Sequence, residues 1–168
     1  MTREEFIRIL DREGYSYEIE GDKLVITHEG SVYFGSLETL PLDVVFRNEG
    51  NVFFRSLEIL TPGVEFINEG DVKLNSLKTL PPGVEFKNER DVDLYSLETL
   101  PPGVGFNNKG DVYLNSLQTL TSGVEFKNGE DVYLGPIFRG WLKDWSGNIE
   151  GVSSNRLLNC MINKGVFI

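Results

Sequence analysis

The sequence predicts an all-β repeat solenoid of about six coils, each twenty residues long with two short strands, and small helical caps at both ends. Three observations predict this fold: apolar residues return every twenty residues, they alternate with polar residues, and turn residues separate the alternating runs. The first apolar column contains only valine, at Val32, Val52, Val72, Val92, Val112 and Val132. Because the spacing has no insertion, equivalent residues are expected to stack in register.

Each repeat has two runs of period two, such as "GVEFKN" and "DVYLN", and alternation over this length indicates a strand with one buried face. In the second run the valine is followed two residues later by Phe or Leu, which places both side chains inside. The first run has a valine column and a phenylalanine column, which we also expect to face inward: Val44, Val64, Val84, Val104 and Val124, with Phe46, Phe66, Phe86, Phe106 and Phe126.

Turn residues stand between the runs. Pro62-Gly63, Pro82-Gly83 and Pro102-Gly103 fit a type II turn, in which proline sets the first central angle and glycine takes the positive φ. At the other corner, "NEGD" and "NKGD" place Gly70 and Gly110 where a left-handed conformation is expected.

Residues 1–22 are expected to form an N-terminal cap made of a helix and a hairpin. Phe6, Ile7 and Leu10 share one helical face, and Gly14 is suited to end the helix. A cap is needed because the end of a solenoid otherwise exposes unpaired strand edges.

The solenoid repeats are assigned to residues 23–137 and a C-terminal cap to residues 138–168. The cap is predicted to contain a loop with Trp141 and Trp145, which seals the last coil, followed by a short helix. Cys160 lies on that helix, where we interpret it as a small buried hydrophobic residue.

Composition restricts the classes of function. The net charge is −10, from 16 basic and 26 acidic residues. Because nucleic-acid binding depends on neutralising phosphates with Lys and Arg, direct binding to DNA or RNA is not expected. No apolar run is long enough to span a membrane, and the charged N-terminus has no signal-peptide core. A lone cysteine is consistent with the cytoplasmic location that we expect.

Catalytic chemistry finds little support in the sequence. His28 is the only histidine, and no second histidine or well-placed carboxylate accompanies it. No phosphate-binding loop, dinucleotide fingerprint, zinc spacing or nucleophile elbow is present. We therefore expect a protein that is not an enzyme and that has neither a metal nor a cofactor.

A column of asparagines, including Asn48 and Asn68, is inward by alternation and is interpreted as structural.

The segment "SLETLPPGVGF" resembles the leucine-rich repeat family. Its "LxxLPxGVxF" pattern is similar to the back half of that repeat, and the preceding "VxLxS" is similar to a shortened version of its strand. The resemblance covers about residues 31–135 and extends to short twenty-residue repeats of bacterial and phage β-solenoid proteins. It implies binding of a protein partner rather than chemistry.

Two outward columns vary where the inward columns do not, and they are rich in aromatic residues. Aromatic residues and arginine on a rigid strand face are the usual anchors of protein interfaces. The alternative is that these side chains only pair across neighbouring coils, because Tyr and Phe favour strands intrinsically. The predicted contact residues are Tyr33, Phe53, Arg55, Tyr95, Tyr113 and Tyr133.

An acidic edge formed by turn residues offers other functions: Glu69, Asp71, Glu89 and Asp91. One is an acidic inhibitor that imitates nucleic acid, of the phage anti-defence type, and blocks a nucleic-acid-binding enzyme. A calcium site at this edge is a weaker alternative, because calcium requires six to eight oxygen ligands. A third class is a structural or assembly component in which copies pair through the C-terminal segment.

Overall fold

A computed structural model describes residues 1–121 and 123–134 and confirms the β-solenoid, with about five turns of twenty residues and one N-terminal helix. The predicted C-terminal cap, including Trp141, Trp145 and Cys160, lies outside the described residues.

Helix α1 (Arg3–Glu13) begins as its sequence dictates. Thr2 accepts a hydrogen bond from the backbone N–H of Glu5, and the Glu5 side chain accepts one from the Thr2 backbone, which forms a capping box. The helix ends at Gly14, whose φ of 75° is left-handed, as predicted. Phe6 and Leu10 are fully buried and close one end of the core.

The described part of the chain continues with fifteen short strands: β1 (Tyr17–Glu20), β2 (Lys23–Ile26), β3 (Val32–Phe34), β4 (Val44–Phe46), β5 (Val52–Phe54), β6 (Glu65–Phe66), β7 (Val72–Leu74), β8 (Glu85–Phe86), β9 (Val92–Asp93), β10 (Thr99–Leu100), β11 (Gly105–Phe106), β12 (Val112–Leu114), β13 (Thr119–Leu120), β14 (Glu125–Phe126) and β15 (Val132–Leu134).

Two sheets form the main sides of the solenoid. The first sheet has the order β1-β2-β4-β6-β8-β11-β14, and the second has the order β15-β12-β9-β7-β5-β3. All neighbouring strands are parallel except β1 and β2, which form an antiparallel hairpin. The parallel register joins residues twenty positions apart, such as Val32 with Val52 and Leu24 with Val44.

The third side of each coil also pairs in parallel, which goes beyond the two strands per coil that the sequence predicts. Thr39, Ile59, Thr79 and Thr99 form successive bridges, and β10 pairs with β13. The physical reason is that the "SLxTL" segments are held at the same spacing as the strands on either side of them, so their backbones reach one another.

The apolar columns of both sheets are buried, as predicted. In the first sheet, phenylalanine rings stack face to face through successive coils, with centroids 5.1–5.3 Å apart from Phe46 to Phe126. Val92, in the middle of the second sheet, has no accessible surface. An isolated coil could not bury these faces, so the core exists only because the coils are stacked.

The two glycine corners are explained differently. Gly63 and Gly83 have φ values of 79° and 78°, which confirms the predicted turn. The expectation for Gly70 and Gly110 is wrong, because neither has a positive φ. Instead, a Cβ on Gly70 would lie 2.4–2.6 Å from atoms of the preceding coil. Glycine permits close approach of the coils at this corner.

The asparagine column is buried, as predicted, and its amides hold the corner between the two sheets. Asn68 Nδ2 donates to the backbone carbonyls of Gly70 in its own coil, at 2.9 Å, and Gly50 in the preceding coil, at 3.1 Å. The pattern repeats in the other coils. The amide oxygens accept no hydrogen bond within the described residues, so the column is held by amide-to-backbone bonds rather than by amide-to-amide bonds.

Candidate interaction surface

The second sheet carries the predicted contact residues on its outer face, but their exposure differs. Tyr33 and Tyr95 are 58% and 39% exposed, and Arg55 is also exposed. Phe53, Tyr113 and Tyr133 are half-buried. Alternation along β3, β5, β12 and β15 turns the outward columns away from the core, and the parallel register then places them in rows along the solenoid.

The N-terminal part of this face is a stacked aromatic pair. The rings of Tyr33 and Phe53 have centroids 4.8 Å apart and an interplanar angle of 10°. The Lys73 ammonium lies 5.7 Å from the centroid of the Phe53 ring, within the range of a cation–π contact. Phe53 thus lies between the Tyr33 ring and the Lys73 ammonium, and Tyr33 turns one ring face toward Phe53.

The C-terminal part is a cluster of three tyrosines. Tyr113 and Tyr133 stack at 4.8 Å with an interplanar angle of 7°, and Tyr95 leans on Tyr113 at 5.6 Å and 37°. The Tyr113 hydroxyl donates to Asp111 Oδ2 at 2.9 Å. Burial, together with this hydrogen bond to a carboxylate, raises the pKa of Tyr113 far above its usual range. The ring is therefore neutral and held in one orientation.

A charged pair separates the two aromatic groups. Lys73 Nζ lies 3.1 Å from Asp93 Oδ2 and 3.5 Å from Asp71 Oδ2. The alternation predicts Asp93 as exposed, and this expectation is wrong, since only 5% of the residue is accessible. Burial raises the pKa of the Asp93 carboxyl, and the hydrogen bond and charge of Lys73 oppose that rise.

The six predicted residues therefore form two groups rather than one continuous row. Tyr33, Phe53 and Arg55 lie on one side of the Lys73–Asp93 pair, and the three tyrosines lie on the other. Sequence reasoning missed the pair itself. The available signal was opposite charge at equivalent positions of adjacent coils, which are neighbours in a parallel register.

At the acidic edge, side-chain oxygens of one coil accept hydrogen bonds from backbone N–H groups of the next coil. The backbone N–H of Asp71 donates to the Asn51 side chain at 2.7 Å, and that of Asp91 donates to Asp71 Oδ1 at 3.4 Å. Glu89 forms an ion pair with Lys109. One oxygen of the Asp71 carboxylate thus links successive coils, a structural role that is typical of aspartate at a turn.

Within residues 1–121 and 123–134, no three His, Cys, Asp or Glu side chains are arranged to hold a metal ion. His28 heads the asparagine column, where its ring packs edge-on against Tyr15 with centroids 5.1 Å apart. In the same part of the chain, no helix has the length and apolarity to cross a membrane.

Comparison with known proteins found no family model that matches the chain, and no curated protein or solved structure that is similar to it.

Proposed function

We propose that this protein is a non-enzymatic interaction module that binds a protein partner through the aromatic outer face of its second sheet. The observation that carries the proposal is the stacking of Tyr33 on Phe53 and of Tyr113 on Tyr133. Side chains that are already ordered lose little rotamer freedom on binding, so the face is preorganised for association.

The direction of stacking favours a protein over a ligand that needs ring faces. Sugars and nucleic-acid bases stack on the faces of aromatic rings. Here each ring of a stacked pair turns one face toward its neighbour, which closes that face to a ligand, and the exposed side chains of Tyr33, Tyr95 and Arg55 remain for a partner. Tyr and Arg are the residue types that most often anchor protein interfaces.

An acidic inhibitor that imitates nucleic acid is a weaker candidate. Its carboxylates would have to present a continuous negative field, but cations pair with them along the solenoid. Lys87 pairs with Glu85 and Lys127 with Glu125 within their own coils, and Lys109 pairs with Glu89 of the preceding coil. We also propose that the repeats are related to leucine-rich repeats and to those of bacterial or phage repeat proteins. The proposed location of the protein is the cytoplasm.

The test is site-specific cross-linking followed by measurement of affinity. A photoreactive phenylalanine at Tyr33 or Tyr95 should capture a protein from the native host, and the same group at Ile67 on the first sheet should not. With the purified partner, the double variant Arg55→Ala, Tyr95→Ala is expected to weaken binding by at least ~2 kcal/mol, because both side chains are exposed anchors.

The matched control is Glu85→Ala, Lys87→Ala, which removes two exposed side chains of one coil on the first sheet. It should bind the partner as the wild type does. Binding that is unchanged in the folded Arg55, Tyr95 variant contradicts the proposal. Affinity that falls steeply with added salt in both variants favours the acidic inhibitor instead, because charge mimicry is screened by salt and aromatic contacts are not.

A further inference from the structure

The first sheet ends at β1, and no strand of residues 1–121 and 123–134 pairs with the backbone groups on the outer edge of β1. β1 is the last strand in the order of the sheet and pairs only with β2 among the described residues. Strand edges of this kind are templates for another extended chain.

The register shows which groups are unpaired. Thr27 N–H donates to the Ser16 carbonyl at 3.0 Å, so residues 16 and 27 form a hydrogen-bonded pair of the antiparallel hairpin. Hydrogen-bonded pairs alternate with non-bonded pairs, and Glu18 therefore also bonds to β2. The N–H and C=O groups of Tyr17 and Ile19 point the other way, toward the free edge.

The side chains beside that edge differ between the two faces of the strand. On the outer face, Glu18 stands opposite the buried Val25, and Glu20 forms a 2.7 Å ion pair with Arg47. On the inner face, Tyr17 is half-buried and donates its hydroxyl to Asp11, whereas Ile19 is 59% exposed. The edge thus has carboxylates on one face and an uncovered apolar side chain on the other.

At the same end of the solenoid, the edge of the second sheet is covered by a side chain. There the Tyr15 hydroxyl accepts a hydrogen bond from the backbone N–H of Tyr33 at 2.9 Å and lies 3.4 Å from the Tyr33 carbonyl, to which it can donate. One side chain thereby satisfies the groups that a further strand would have paired. No side-chain or backbone group of the described residues does the same for Ile19.

We propose that β1 is a second docking site, which accepts an extended segment of a protein partner as an added strand in which basic and apolar residues alternate. The backbone groups of Tyr17 and Ile19 supply the hydrogen bonds, the basic side chains meet Glu18, and the apolar side chains cover Ile19. This site is distinct from the aromatic face of the second sheet and does not depend on it.

Charge selects this occupant over a second copy of the chain. Two β1 strands paired across a two-fold axis centred on Ile19 would place Glu18 of one copy opposite Glu20 of the other. Residues 1–30 carry eight acidic and four basic groups, which adds to the repulsion between copies and attracts a basic segment.

The experiment uses the full chain and the peptide acetyl-(Lys-Val)₃-amide as the probe. Binding is followed by NMR, together with hydrogen exchange of the backbone amides. We expect the peptide to shift the resonances of β1 and to protect the amides of Tyr17 and Ile19. The variant Ile19→Pro removes an edge N–H together with the exposed apolar side chain, and it should bind about tenfold more weakly or worse. Peptide (Lys-Gly)₃ has the same charge but low strand propensity, and it should leave these amides unprotected.

A second variant retains every backbone donor. Glu18→Lys should weaken binding of the basic peptide and allow binding of (Glu-Val)₃, which the wild type should reject. The proposal is overturned if the shifts fall on the acidic edge at Glu69 and Glu89 instead of β1, if folded Ile19→Pro binds with unchanged affinity, or if the basic and acidic peptides bind the wild type equally. None of these results affects the aromatic face, whose variant Arg55→Ala, Tyr95→Ala should bind the peptide normally.

Discussion

At the scale of single residues, the repeat is informative where it is broken. Lys73 and Asp93 replace aromatic residues in two successive coils and form the ion pair that divides the outer face of the second sheet. Asp93 is short, so its carboxylate stays close to the backbone and is covered by its neighbours. Burying a carboxylate beside a single cation costs free energy, which the pairing offsets only in part.

The buried carboxyl makes a prediction about pH. Burial raises the pKa of Asp93 in the folded state above its ordinary value of about 4, so the folded protein binds this proton more tightly than the unfolded chain does. The contribution of Asp93 to stability is therefore largest at low pH and is lost as the pH rises through the folded-state pKa.

The measurement compares the wild type with Asp93→Asn by chemical denaturation from about pH 3 to about pH 7. The free energy of unfolding of the wild type, relative to the variant, should fall as the pH rises. Lys73 stays charged over this whole range, so it cannot produce the trend. A difference that grows with pH would show that ionisation of Asp93 is favoured by folding, contrary to our assignment.

At the scale of elements, the corners show two separate uses of glycine. Gly83 has a φ of 78°, and a Cβ there would contact nothing, so only its backbone conformation requires glycine. In the first coil Asp43 takes the equivalent place with a φ of 57°, which Asp tolerates better than most residues. Gly105 has no positive φ and lies in β11, where the nearest atom to an added Cβ would be 3.7 Å away.

These two glycines form a matched pair for mutagenesis. Gly83→Ala should lower the free energy of unfolding by about 1 kcal/mol, because alanine is strained in the left-handed region. Gly105→Ala should be neutral or should raise it by about 0.5–1 kcal/mol, because alanine loses less conformational freedom than glycine. Thermal and urea denaturation would measure both. Equal losses at the two sites would contradict this explanation of the corners.

Element by element, the predictable part of the fold is the part that depends on local pattern. The apolar columns, the hairpin, the helix that ends at Gly14 and the turn at Gly63 follow from alternation, periodicity and turn chemistry. The bridges of the third side and the close approach at Gly70 do not, because both depend on distances between coils. For the same reason, the outward positions could be named from the sequence, but the burial of Asp93 could not.

At the scale of the whole molecule, each coil contacts mainly the coil before and the coil after it. Stability is then close to a sum of coils and of interfaces between neighbouring coils. Helix α1 and Tyr15 close the N-terminal end, through the buried Phe6 and Leu10 and the hydroxyl bonded at Tyr33. A defect in the middle of such a stack interrupts contacts on both sides.

This arrangement predicts a dependence on position. Val92→Asp would place an unpaired carboxylate between two coils in the centre of the second sheet, which is expected to cost several kcal/mol. Val132→Asp, in the last strand of that sheet, should cost less. Denaturant titrations of both variants, supported by hydrogen exchange of the amides in each coil, would test this. Equal losses would contradict a linear stack.

Because the inner columns are uniform, the core alone does not specify with which coil each strand pairs during folding. A strand displaced by a whole coil would meet the same valines and asparagines and would still satisfy its backbone, so the core barely distinguishes correct from shifted pairings. The irregular residues do distinguish them. A shift of one coil would place Lys73 beside Tyr113 and would leave Asp93 buried without its cation, at the cost of an uncompensated charge. The Lys73–Asp93 pair therefore favours the correct order of coils over pairings that are shifted by one coil.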